Sequence, residues 1–174
     1  MLYFFFAFFF LFLEFPITVG TGVLNLMPAC VGCVLLLLGI ARLADGTPRF
    51  LRMRLSSAVL LLLSLVRTAM GVFGVGQGGV FPLVTQTAEM LLALHISYEV
   101  AEYVKAKEKA LSRPLGGKDL ASAWFLLALG NLLSLFAGRV ESVSFLCLVL
   151  QLLSILWYQM ALWRAHKKMG GIQK

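Results

Sequence analysis

Several residues in this chain combine the types and the spacing that chemistry needs. Arg67 and Glu89 are isolated charges inside long apolar runs. A charge in hydrocarbon is costly, so such residues face a bundle interior, a cavity or an opposite charge. A planar guanidinium fork suits a carboxylate, and an Arg67–Glu89 ion pair is expected. The pair either locks two helices together or serves a substrate or a proton. Gln86 stands one turn before Glu89 and belongs to the same polar row. His95, Glu99 and Glu102 follow at i, i+4 and i+7, on one helical face. A His with two carboxylates can hold a metal or relay protons. Near a membrane surface the same carboxylates pair instead with Lys105 or Lys109. Asn131 and Gln151 are amides within apolar runs. They bind a substrate or hydrogen-bond one helix to another. Cys30 and Cys33 form C-V-G-C where a helix is expected to begin. A helix N-terminus favours the thiolate, which suits a CxxC to redox exchange. With Cys147, an oxidising exterior would allow a disulfide. The alternative is three small apolar residues in helix interfaces. The glycine-rich stretch from Gly71 to Gly79 lacks the GK[ST] ending of a phosphate-binding loop.

The elements that must position these residues are apolar runs. The chain has 174 residues, 60% hydrophobic and 13% charged. Soluble domains run at about 45–50% and about 25%. Mean hydropathy is +0.92. The polar stretches are short, so residues 1–174 are read as a single membrane domain. Helices are predicted over about 2–15, 28–44, 55–73, 80–110, 119–137 and 143–164. The expected fold class is all-α: a polytopic integral membrane bundle of six transmembrane helices. Residues 2–13 are purely apolar and lack a basic n-region and a cleavage site, unlike a signal peptide. A helix of about 13 residues is about 20 Å long, short of a ~30 Å hydrocarbon core. If it only dips into the membrane, five crossings remain and the N-terminus moves outside. Glu14, Pro16, Gly20, Gly22 and Asn25 mark an irregular outer stretch, and Pro28 a helix start. Breaks follow at Asp45 to Pro48, Gly74 to Gly79, Ser112 to Gly117 and Gly138 to Ser142, the last with Arg139 and Glu141.

The formal charge of +7 is concentrated, because thirteen of the fifteen Lys and Arg fall within Arg42–Arg54, Lys105–Lys118 and Arg164–Lys174. All three segments lie on one side when six helices alternate. That is the positive-inside pattern, with both termini cytoplasmic, and it speaks against nucleic-acid binding. Tyr98, Tyr103, Trp124, Trp157, Tyr158 and Trp163 fall near inner helix ends, where interfacial aromatic belts form.

The segment LEFPI with GVLNLMPACVGCVLLLLGIARL, Gly22 to Leu43, resembles small uncharacterised multi-helix membrane proteins of Gram-positive bacteria. Glu14, Pro28 and Gly32 match their LPDFIGY-like pattern by position, while Ala29 and Cys33 replace its acid and its Tyr. The resemblance implies no activity. Size, helix count and cytoplasmic ends are similar to the substrate-binding S components of energy-coupling-factor transporters. The outer CxxC resembles that of quinone-coupled disulfide oxidases. The expectation is a non-enzymatic protein of the bacterial cytoplasmic membrane, needing no cofactor. It would bind or move a small solute, or support a partner membrane protein or a second copy, through a polar seam between helices three and four. The alternatives are a thiol oxidoreductase using Cys30 and Cys33 and a purely structural interaction protein.

Overall fold

The computed structural model describes residues 1–13, 16–19, 22–25, 29–43, 48–73, 80–137 and 141–170. Six helices lie among them: α1 (Leu2–Phe12), α2 (Ala29–Leu43), α3 (Pro48–Phe73), α4 (Val80–Leu111), α5 (Gly117–Ala137) and α6 (Glu141–Gly170). The departure from all-α is a two-stranded hairpin, β1 (Pro16–Val19) and β2 (Gly22–Asn25), paired antiparallel with Val19 opposite Gly22. It occupies the stretch expected to be irregular. The β-branched residues Ile17, Thr18, Val19 and Val23 suit strands on either side of a short loop. α3 begins at Pro48 rather than at 55, so Arg49, Arg52 and Arg54 belong to the helix. α6 runs to Gly170 rather than 164. The expected breaks at 44–47, 74–79 and 138–140, with Glu14, Pro28 and Arg139, lie outside the described residues.

Two helices, α3 and α6, are long and apolar enough to cross a membrane. Only 17% of the apolar stretch of α3 is buried, unlike the core helix of a soluble protein. α1 and α2 are apolar but have 11 and 15 residues, about 16 and 22 Å at 1.5 Å per residue.

The chain forms two compact units, Met1–Ile96 and Ser97–Lys174. In the first, α1 packs antiparallel on α2. Phe4, Ala7, Phe8 and Phe12 form the buried stripe of α1, at helical spacing. α2 buries Ala29, Gly32, Cys33, Leu36, Gly39 and Ile40, of which Gly32 and Gly39 lie directly against α1. A Cβ on Gly32 would stand 2.8 Å from the Ala7 carbonyl oxygen, so only glycine lets the backbones come this close. The Arg42 guanidinium lies 4.6 Å over the Tyr3 ring and closes the far end of the contact. α3 neighbours both α2 and β2. It turns Phe50, Met53, Ser57, Leu60 and Ser64 inward.

In the second unit α5 and α6 pack antiparallel. A Cβ on Gly130 would overlap Ser154 Oγ, which marks their closest approach. Ser97, in the second half of α4, ties the three helices together. Trp124 Nε1 of α5 donates to Ser97 Oγ at 3.1 Å, and Tyr158 Oη of α6 donates to the Ser97 carbonyl at 3.0 Å. Tyr158 is fully buried, so it is a core anchor and not a member of an interfacial belt. α4 ends in a Schellman motif. Ser112 takes a left-handed φ of 48°, and Arg113 N–H donates to the Glu108 carbonyl. The Glu108 carboxylate then accepts from Gly117 N–H at 2.7 Å, which caps the start of α5.

The buried core is largely apolar but also takes in polar side chains, and the outside is unlike that of a water-soluble protein. The buried set includes Ser57, Ser64, Thr85, Glu89, Ser97, Glu99, Asn131, Ser154 and Gln159. Leu62, Val66, Phe73, Phe125, Phe145 and Leu153 are among many large apolar side chains on the outside. Soluble monomers rarely expose contiguous apolar surface on this scale.

Candidate functional site

The seam expected between the third and fourth helices is built inside the first unit. α3 carries Ser64 inward, and Arg67 follows three residues later on the same side. α4 turns Thr85, Glu89, Ala93 and Ile96 inward at helical spacing. Arg67 Nη1 meets Glu89 Oε2 at 3.0 Å, with side chains 26% and 8% exposed. The expected ion pair is therefore present. It is buried on the carboxylate side and open on the guanidinium side. Thr85 Oγ1 donates to the Phe81 carbonyl at 3.1 Å, so its hydroxyl is served within its own helix.

Cys33 enters the same neighbourhood from α2. Its thiol shares a hydrogen bond with Ser64 and lies within electrostatic reach of Glu89 and Cys30. One thiol of the CxxC, Cys33, thus lies near the charged pair. Cys30, Cys33 and Cys147 are free thiols, with Cys33 and Cys147 buried and Cys30 partly so. Reactive thiols sit in partially exposed, electropositive surroundings, and a buried thiol beside a carboxylate is the opposite setting.

The remaining expected site residues are distributed as follows. Gln86 is exposed on α4, outside the buried row that holds Glu89. Asn131 and Gln151 belong to the second unit and bond each other, Gln151 Nε2 donating to Asn131 Oδ1 at 3.3 Å. Asn131 Nδ2 also donates to the Leu127 carbonyl at 2.8 Å. Their amides join α5 to α6. His95 is exposed while Glu99 is buried, so the residues at i and i+4 do not share an environment. Glu102 Oε1 accepts from Lys105 Nζ at 2.7 Å, a pairing within one helix. Among the described residues no three His, Cys, Asp or Glu side chains are grouped to hold a metal.

Ser64 and Ser97 were not singled out from the sequence. Ser57 and Ser64 stand seven residues apart on α3, a spacing that would have marked its inward face. Nothing distinguishes Ser97 in the sequence, because its importance comes from residues on two other helices.

Fold and site together define a helical bundle with a buried charged seam and an apolar exterior. No protein-family model matches the chain, and no curated protein or solved structure matches it significantly.

Proposed function

We propose that the chain is a multi-pass protein of a bacterial cytoplasmic membrane, with six spans and both termini cytoplasmic. It acts without catalysis, by docking a partner membrane protein over the α3–α4 seam. The many exposed large apolar side chains, with a minority of polar groups among the buried residues, support the membrane setting. Local thinning of the bilayer accommodates the short α1 and α2.

The observation that carries the docking is the environment of Gln86. It is exposed one turn from buried Glu89. Around it Phe81, Leu83, Val84 and Leu91 are also exposed. An amide turned towards hydrocarbon lacks hydrogen-bond partners, which a neighbouring helix supplies. The open side of Arg67 adds a charged anchor near the same surface. That opening also favours a second reading, a small anionic solute held at the guanidinium.

A photo-crosslinking residue at Gln86, with one at exposed Val59 as control, separates the readings. Docking predicts a discrete protein adduct from position 86, lost in Arg67→Leu, and lipid adducts from position 59. Lipid adducts alone at both positions would overturn it.

A further inference from the structure

One face of α6 changes character along its length. Leu153, Leu156, Trp157 and Met160 are exposed and recur at helical spacing. Trp163, 38% exposed, continues the stripe, and Arg164 and Lys167 end it. Lys167 Nζ lies 5.7 Å from the Trp163 ring centroid, so the cation is held over the aromatic face. The stripe thus passes from aliphatic to indole to cationic within about 21 Å.

More cations of the second unit gather at this end. Lys168 Nζ lies 3.6 Å from where a Cβ on Gly116 would stand, which brings the end of α6 to the α4–α5 connection. That connection carries exposed Arg113 and Lys118. Of the carboxylates here, Glu102 holds Lys105 and Glu108 caps α5, while exposed Asp119 lies beside the same Gly116 as Lys168 and offsets one of the cations. Among the described residues, Arg113, Lys118, Arg164 and Lys168 have no ion-pair partner.

We propose that this end of the second unit binds the headgroups of anionic phospholipids, with the acyl chain along the Leu153–Trp163 stripe. The inference rests on the membrane reading. Chemistry favours a lipid over a free anion, because the cations continue an apolar stripe of acyl-chain character. Clustered Lys and Arg beside an apolar helix attract anionic lipid. Removing each such charge weakens the preference roughly fivefold, from about 1 kcal/mol per cation.

The test uses the full chain in vesicles of equimolar phosphatidylcholine and phosphatidylglycerol, with bromine on the acyl chains of one lipid at a time. Tryptophan quenching by brominated phosphatidylglycerol should exceed that by brominated phosphatidylcholine. The excess should vanish in an Arg164→Gln, Lys167→Gln, Lys168→Gln variant. It should persist in the charge-preserving Arg164→Lys, Lys167→Arg, Lys168→Arg variant, which controls for folding. Equal quenching by the two lipids in the parent chain would overturn the proposal, as would loss of the excess in the charge-preserving variant. Inorganic phosphate that abolishes the excess, where chloride at equal ionic strength does not, would reassign the site to a free anion. Quenching by neither lipid would instead overturn the membrane reading itself.

Discussion

At Glu89 the cost of burying a carboxylate is offset in part by the Arg67 guanidinium. Removing one partner leaves the other charge buried without this counter-charge, whereas removing both leaves neither. Arg67→Leu and Glu89→Leu should each lower stability by about 2–4 kcal/mol, and the double variant should be more stable than either single one. Thermal unfolding in a mild detergent measures this; single variants as stable as the parent would refute the role given to the pair. The pair was legible in the sequence because both residues are lone charges at matching depths on helices joined by a short linker. Gln86 looked equivalent to Glu89 from spacing alone, yet it is exposed while Glu89 is buried. Spacing fixes the angle between two side chains but not where the seam's edge falls. Asn131 and Gln151 were legible as polar groups in apolar runs, and their mutual bond favours their role in joining helices.

Helix number and order could be read from the chain, because apolar runs separated by Gly, Pro and charge clusters leave few alternatives. Helix ends were less legible. Arg49, Arg52 and Arg54 suggested a loop, but arginine is a good helix former and its long stem reaches water from within a helix. The same reasoning explains why α6 continues through Arg164, Lys167 and Lys168. The hairpin was hidden because its glycines drew attention to turns rather than to the β-branched residues beside them. Two elements also invite substitution. Ser112 holds a left-handed conformation that glycine adopts without strain. Ser112→Gly should therefore raise the melting temperature modestly, by roughly 0.5–1 kcal/mol of stability. Gly130→Leu should do the reverse and prise α5 from α6, at a cost of about 1–3 kcal/mol or more. Calorimetry or a dye-based melt on both variants checks the two signs together; a destabilising glycine at 112 would contradict the Schellman assignment.

For the whole molecule, the distribution of surfaces carries more meaning than any single residue. Large apolar side chains cover much of the outside, and a few hydroxyls, amides and carboxylates are set among the apolar residues of the packing surfaces. A bilayer tolerates that pattern and water does not. The proposed topology, with a cytoplasmic C-terminal end, predicts that green fluorescent protein fused after Lys174 fluoresces and that alkaline phosphatase fused there stays inactive. The opposite pair of results would place that end outside and overturn the proposed topology.

The Arg67–Glu89 contact also has a consequence for biosynthesis. α3 leaves the ribosome carrying an arginine whose counter-charge has not yet been made. A charge at mid-helix lowers the preference of a segment for lipid by about 2.5–3.5 kcal/mol. Synthesis at ~5–20 residues per second leaves that charge alone for about one to several seconds before Glu89 arrives. In the proposed membrane topology, α3 therefore has reason to linger at the translocon until α4 emerges, so that the two helices enter the bilayer as a pair.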